Sequence, residues 1–206
     1  TDEPHRVTGL HFGASYTLTE IRAAEGYALA DNITFRLIQK TDEGGNPLEE
    51  CEVYYLTTKN ILFWKWDDWR LLDDATVIMR DDITKVQISK KDLTTKEELP
   101  GAELTLTDEK GNEIDRWVST DAPHYMERLP AGKYTLTEVT APDGYAIAER
   151  VEFEVLPTGE VQTFEMFDDT IKVKISKVDI TTNEELPGAE LVIKDKDGTE
   201  IDRWIS

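Results

Sequence analysis

An internal repeat is the feature of this sequence that most constrains its fold. The 35 residues that start at Lys85 match the 35 that start at Lys172 at 24 positions, with a separation of 87 residues. A second pair of similar segments reads YTLTEIRAAEGYALA from Tyr16 and YTLTEVTAPDGYAIA from Tyr134. The chain of 206 residues is therefore expected to consist of related modules.

The order of the repeated segments divides the chain into three parts. Residues 85–169 hold both segments, residues 1–84 hold only the second and residues 170–206 only the first. The middle part continues from RWVS into TDAPH, whereas the chain ends on RWIS and begins with TDEPH. We interpret this as one complete unit flanked by complementary halves of another. Either the chain is a piece of a longer array, as the missing initiator Met also indicates, or the halves are meant to associate.

Composition excludes several functional classes. The net charge of −20 would repel nucleic acids and anionic membranes, and no apolar run is long enough to insert into a bilayer. A single cysteine, Cys51, rules out an intrachain disulfide and a cysteine-cluster metal site. The three histidines, at positions 5, 11 and 124, lack the spacing of metal ligands. We therefore expect neither a metal nor a cofactor.

Short alternating segments indicate that the chain is all β. Apolar and polar residues alternate in VQISK, AELTL, KYTLTE, RVEFEV and QTFEMFD, and turns rich in Gly and Pro separate these segments. No long helix is predicted. Strands of this length and spacing predict an Ig-like β-sandwich.

Three ionisable residues fall on the apolar sides of their predicted strands. Successive side chains of a strand point to opposite faces, so Lys90 shares a face with Val86 and Ile88. By the same rule Glu138 lies with Tyr134 and Leu136, and Asp168 lies with Phe164 and Met166. Each of these charges, taken alone, could end its strand and reach solvent at the rim.

The same combination of Lys, Glu and Asp recurs in the split unit. This recurrence favours a chemical role for the three residues over an accidental placement at the strand ends. Lys177 follows Val173 and Ile175, Glu20 follows Tyr16 and Leu18, and Asp81 follows Val77 and Met79. In an apolar pocket an amine tends towards its neutral, nucleophilic form and a carboxyl towards its protonated, electrophilic form. Contact between them can drive amide formation, with a second carboxyl moving the proton.

These residues lie in motifs that resemble the CnaB-type (SpaA-like, SpyCatcher/SpyTag-like) domains of Gram-positive surface proteins and pili. The shared motifs are ISKKD, ELPGAEL, IDRWVS, YTLTEVTAPDGYAI and EMFDD, and they cover the whole middle unit. Such domains form a spontaneous isopeptide bond between Lys and Asn or Asp, assisted by Glu.

The resemblance assigns a role to each member of the two triples. It implies a Lys90–Asp168 bond assisted by Glu138, and a Lys177–Asp81 bond assisted by Glu20. Both acceptors are Asp, where many family members have Asn. The adjacent acids Asp82 and Asp169 point outward by parity and receive no role.

The resulting prediction is a structural stalk protein of a Gram-positive cell surface, and not an enzyme with turnover. The Lys177–Asp81 bond would join copies head to tail into a covalent fibre.

The alternative is an adhesin fragment that binds glycan or matrix protein through an insertion at 39–74. Five Tyr and Trp residues of this insertion could form a binding patch or pack as extra strands: Tyr54, Tyr55, Trp64, Trp66 and Trp69. The acidic DKDG segment at 195–198 is read as a turn and not as a calcium site.

Overall fold

A computed structural model describes residues 3–61 and 64–206, with the backbone alone at 59–61 and 64–66. Over these residues the chain is all β and contains thirteen strands and no α-helix, as predicted. It divides into two compact units, Thr1–Asp169 and Thr170–Ser206.

The first 84 residues form a single antiparallel sheet. The strands pair in the order β1-β2-β3-β4, and their bounds are β1 Ser15–Leu18, β2 Ile33–Thr41, β3 Pro47–Ile61 and β4 Trp64–Leu72. The predicted insertion is thus a long β3–β4 hairpin that widens the sheet beyond β2. The later segment 76–82 forms no strand, although its repeat counterpart at 163–169 is part of one.

The middle unit is a complete β-sandwich of two sheets. One sheet has the order β10-β9-β6-β7 and the other β11-β5-β8. The strands are β5 Lys85–Asp92, β6 Glu103–Asp108, β7 Glu113–Val118, β8 His124–Glu127, β9 Gly132–Thr140, β10 Val151–Val155 and β11 Val161–Asp168.

The apolar faces of both sheets form one core, as the alternation predicts. Strand β5 contributes Val86 and Ile88, β6 contributes Leu104 and Leu106, and β9 contributes Leu136, all at most 2% exposed. Because the alternation continues along β5 and β9, residues further along these strands also point into the core.

Strand β5 is the central strand of its sheet. It pairs in parallel with β11 and antiparallel with β8. In the parallel register Lys90 lies opposite Met166, and Asp168 lies two residues beyond. The first and last strands of the unit are therefore neighbours, and this pairing brings residues 78 positions apart into contact.

The second compact unit contains one hairpin, formed by β12 Glu190–Lys194 and β13 Glu200–Ile205. The hairpin matches β6 and β7 of the complete unit. Residues 171–177, which match the start of β5, form no strand. The turn that follows is nevertheless the same, because the backbone N–H of Leu186 donates to the carbonyl of Lys177 at 2.7 Å, as that of Leu99 does to Lys90 at 2.7 Å.

Candidate functional site

Lys90, Glu138 and Asp168 meet in the core of the complete unit. They are 2%, 4% and 1% exposed. The Lys90 amine donates a hydrogen bond to Oδ1 of Asp168. It also lies 3.1 Å from Oε1 of Glu138, at an angle that makes no hydrogen bond. The three residues placed on apolar faces by parity thus form one contact cluster.

Both sheets of the sandwich contribute to this cluster. Lys90 and Asp168 lie on the neighbouring strands β5 and β11, and Glu138 reaches them from β9 in the facing sheet. The backbone N–H of Ala148 donates to Oε2 of Glu138 at 2.6 Å. This bond leaves Oε1 on the side of the amine. The Ala148 contact is a backbone interaction between distant segments and has no side-chain signal in the sequence.

The pKa of Asp168 lies above its usual range. Burial is the main cause, because removal from water disfavours the carboxylate. The Lys90 amine lowers the pKa without cancelling the effect of burial, and nearby Glu138 raises it. Oδ2 of Asp168 is buried without a hydrogen-bond partner among the described residues. The cluster therefore favours a protonated Asp168.

A second contact fixes the loop beside the cluster. The hydroxyl of Tyr145 donates to Oδ2 of Asp92 at 2.7 Å, while Oδ1 of Asp92 accepts the backbone N–H groups of Thr94 and Thr95. The loop that follows β9 is thereby attached to the end of β5. Sequence reasoning missed Asp92 and Tyr145, although both stand in the repeated motifs ISKKD and APDGY.

The half-site of the first 84 residues keeps two backbone hydrogen bonds of the complete one. The backbone N–H of Ala30 donates to Oε2 of Glu20 at 2.8 Å, the counterpart of the Ala148–Glu138 bond. The N–H of Ala28 donates to the carbonyl of Asp82 at 2.8 Å, and that of Ala146 to Asp169 at 3.0 Å. Glu20 is half-buried and Asp81 is exposed.

The other member of the split triple, Lys177, lies in the second unit and is half-buried. Apolar residues that precede it are exposed, Val173 to 77% and Ile175 to 50%. Each unit keeps some turn or backbone contacts of the complete site near its predicted residues, although neither 76–82 nor 171–177 forms a strand.

Asp82, which sequence reasoning left without a role, links the first sheet to the complete unit. Its Oδ2 accepts a hydrogen bond from the Lys85 amine at 2.7 Å, and the same amine donates to the carbonyl of Gly159 at 2.9 Å. A side chain at position 159 would clash with Asp82, since an added Cβ would lie 2.5 Å from Oδ2. The junction is therefore closely fitted.

The aromatic residues of the insertion are partly covered. The guanidinium of Arg36 lies 4.2 Å from the ring centroid of Trp69 and 5.6 Å from that of Tyr54. Tyr55 is half-buried. The side chains of Trp64 and Trp66, which the predicted patch also includes, lie outside the described residues. The ring faces that are described are thus occupied in part by the chain itself.

The described part of the chain has neither a metal-binding cluster nor a membrane-spanning helix. No group of His, Cys, Asp and Glu within it is arranged to hold a metal ion. None of its segments forms a helix of the length and apolarity required to cross a membrane.

Comparison with known proteins defines the class of the complete unit. Residues 84–170 match the SpaA family, described as a prealbumin-like fold domain. This part of the chain is therefore a SpaA-like β-sandwich domain, which confirms the predicted resemblance and fold class. No curated protein matches the chain significantly.

Solved structures with similarity to the chain are distant. The Bacillus anthracis TIE protein is 24% identical with a TM-score of 0.46, over 93% of this chain and 41% of that one. The shaft pilin SpaA of Lactobacillus rhamnosus GG is 15% identical with a TM-score of 0.38, over 66% and 69%. The minor pilin GBS52 of Streptococcus agalactiae is 16% identical with a TM-score of 0.39, over 72% and 64%. The chain thus spans less than half of the first of these proteins.

Proposed function

We propose that the protein is a self-cross-linking structural module of a pilus-like fibre on a Gram-positive cell surface. The observation that carries this proposal is the buried contact of the Lys90 amine with the carboxyls of Asp168 and Glu138. A buried ammonium costs free energy through desolvation, which only its pairing with a carboxylate offsets. Conversion of Lys90 and Asp168 into a neutral amide removes the ammonium charge and with it that cost. The SpaA-like identity of residues 84–170 also supports a structural role over an enzymatic one.

The proposed reaction has two steps. Glu138 takes a proton from the Lys90 ammonium, which leaves a neutral amine as nucleophile. The amine attacks Cγ of protonated Asp168. The N–C bond forms, Glu138 returns its proton to the Asp168 hydroxyl, and the C–O bond of that hydroxyl breaks, so that one water leaves. Glu138 then takes the second proton of the nitrogen and ends protonated beside the neutral amide. The groups are held in contact, so proximity supplies much of the rate. The reaction occurs once per site, because its product is part of the fold.

The bond would make the domain resistant to unfolding. It closes a loop of 78 residues between the first and last strands of the unit. The loop-entropy relation for cross-links gives a stabilisation of about 4.5 kcal/mol. A force applied along the chain at these two strands would pass through the covalent bond and not through the sandwich. This property suits a fibre subunit.

The split unit would apply the same chemistry between copies of the chain. The segment around Lys177 keeps the turn of the complete site, and Glu20 keeps its backbone donor, Ala30. The apolar side chains of Val173 and Ile175 are exposed, and burying them on a second copy would favour association. We propose that Lys177 of one copy bonds to Asp81 of the next, assisted by that copy's Glu20.

We infer the register of this junction from that of the complete unit. Strands β6 and β9 pair Leu104 with Glu138 and Leu106 with Leu136. The equivalent pairs would be Leu191 with Glu20, and Ile193 with Leu18. Strand β12 of one copy would then extend the β1–β4 sheet of another copy. Repetition of this head-to-tail contact without closure gives an open filament.

Gel electrophoresis after boiling in SDS tests the junction. The wild-type chain should give a ladder of covalent oligomers, and Lys177→Ala should give monomer alone. Lys174→Ala is the matched control, because Lys174 lies on the same segment with the opposite strand parity, and it should keep the ladder. A wild-type sample that runs only as a monomer at high protein concentration contradicts interchain bonding.

The adhesin alternative gains no support from the described residues, since Arg36 covers part of the aromatic surface. A glycan array with the wild-type chain tests this alternative. Binding that is lost in Trp69→Ala, with the ladder intact, would add a ligand-binding role to the structural one.

A further inference from the structure

A cluster of His124, Asp115 and Trp117 in the complete unit has no part in the proposed chemistry. The His124 ring is stacked on the Trp117 indole, with centroids 4.2 Å apart and planes at 10°. Nε2 of His124 lies 2.8 Å from Oδ2 of Asp115. His124 begins β8, which pairs with β5, and it lies opposite Ile88. The cluster therefore fixes β8 to the open edge of β5 and to the facing β6–β7 hairpin.

The split unit divides this cluster between its two halves. Asp202 and Trp204 lie on β13 in the C-terminal half, at the positions of Asp115 and Trp117, and His5 lies in the N-terminal half at the position of His124. His5 is exposed and Trp204 is half-exposed. Each half thus lacks the part that the other carries.

The half that carries Asp202 keeps the arrangement of the complete cluster. The backbone N–H of Arg203 donates to Oδ1 of Asp202 at 2.8 Å, as that of Arg116 does to Oδ1 of Asp115 at 2.8 Å. In the complete unit Oδ1 of Asp115 is held by this bond, and Oδ2 is the oxygen that contacts His124. The acceptor for a histidine ring is therefore already positioned on β13.

We propose that His5 of one copy docks on Trp204 and Asp202 of another, and that residues 5–8 add as a strand to the segment 172–175. This inference rests on the proposed head-to-tail junction and adds a second contact to it, far in sequence from the bonding residue Asp81. The register of β5 and β8 places His5 opposite Ile175 and Val7 opposite Val173. Val7 is 63% exposed and Val173 77%, so the pairing would cover both side chains.

The partner that fits this surface is a second copy of the chain. Residues 5–7 of that copy carry a histidine and, two positions later, an apolar residue, as β8 of the complete unit does. In the complete unit Met126, the counterpart of Val7, packs against the core cluster. Arg6 and Thr8 match Tyr125 and Glu127, which are exposed on β8. The alternation of residues 5–8 therefore fits a strand with one face on the partner and the other in water.

The test uses two variants that can form only one bond with each other. A donor chain carries Asp81→Ala and keeps Lys177, and an acceptor chain carries Lys177→Ala and keeps Asp81 and Glu20. Mixed at equal concentrations, they should yield one covalent heterodimer, whose second-order rate is measured by gel electrophoresis. His5→Ala in the acceptor should lower this rate about tenfold, since a stacked ring and a buried hydrogen bond are lost.

Trp204→Ala in the donor should cause a similar loss, and both changes together should cost little more than either alone. His11→Ala in the acceptor is the matched control and should leave the rate unchanged. Mass spectrometry of each variant should detect the Lys90–Asp168 cross-link as the loss of one water, which shows that the complete unit still folds. An unchanged rate in His5→Ala would overturn the docking role of His5. So would a double variant whose fold-loss in rate equals the product of the two single losses.

Non-covalent affinity separates this inference from the proposed bond. Sedimentation of the donor with the acceptor should show a complex that His5→Ala weakens about tenfold. If this complex forms and depends on His5 but never becomes covalent, the docking contact stands and the interchain bond is refuted. If no complex forms at all, both are refuted.

Discussion

The same sequence pattern is buried in one part of the molecule and exposed in another. In the complete unit Val86 and Ile88 are 0% and 2% exposed, whereas their counterparts Val173 and Ile175 are 77% and 50% exposed. The first pair lies on a strand and the second does not. The difference cannot come from local propensity, because the segments are nearly identical.

Long-range partners account for the difference. Strand β5 has β11 and β8 beside it, and the facing sheet covers its apolar side. Features that need only neighbouring residues are the same in both places, including the β6–β7 and β12–β13 hairpins. The exposed segment thus has the sequence of β5 without its partners, and it forms no strand. Pairing and cover from distant segments are therefore what place Lys90 in the core.

The largest expected effect comes from removing the proposed Lys90–Asp168 cross-link of the complete unit. Lys90→Met should lower the free energy of unfolding by about 4.5 kcal/mol, because the loop between the first and last strands is no longer closed. Urea denaturation of the monomer measures this loss. Lys91→Met is the control, since Lys91 pairs with Glu165 at the surface, and it should keep nearly full stability.

Glu138→Gln provides a second route to the same result and keeps both bonding partners. It should leave Lys90 and Asp168 unlinked because the proton acceptor is gone. Wild-type stability in both Lys90→Met and Glu138→Gln would show that no covalent bond contributes to the fold.

The next prediction contrasts Ile88 in the core with its repeat counterpart Ile175, which is exposed. Ile88→Ala should cost about 2–5 kcal/mol through lost burial and a cavity. Ile175→Ala should change the stability of the monomer by less than about 0.5 kcal/mol, as an exposed substitution does. Denaturant curves of the two variants measure the contrast. Ile175→Ala should instead reduce the SDS-resistant ladder. If Ile88→Ala and Ile175→Ala lowered the stability of the monomer equally, the contrast between the two segments would be refuted.

The smallest effect is the pH dependence caused by Asp168. Its pKa is raised by burial, and removal of the lysine in Lys90→Met leaves that cause in place. Above the ordinary carboxyl pKa, the unfolded chain loses this proton before the folded chain does. The free energy of unfolding should therefore fall by up to about 1.4 kcal/mol per pH unit until the folded pKa is passed.

Denaturation of Lys90→Met at several pH values measures this slope. The double variant Lys90→Met with Asp168→Asn has no acid at this position and should give a flatter curve. A Lys90→Met variant that becomes more stable as the pH rises through this window would contradict a raised pKa.

The sequence predicted the fold class and the position of the complete site because both depend on alternation and repetition. Strand parity places Lys90 and Asp168 on the core side, and the parallel register of β5 and β11 makes them neighbours. The Ala148 and Ala30 donors were not predictable, since a backbone N–H has no side-chain signature. The absence of a strand at 171–177 was not predictable either, because strand pairing depends on segments distant in sequence.

The central claim is that Lys90 and Asp168 are joined by an amide bond in the folded chain. Mass spectrometry of the intact monomer and of its proteolytic peptides tests this claim most directly. We expect a monomer mass lower than that of the sequence by one water, and a branched peptide that links Lys90 to Asp168. A monomer of full sequence mass, with the two residues on separate unmodified peptides, would contradict it.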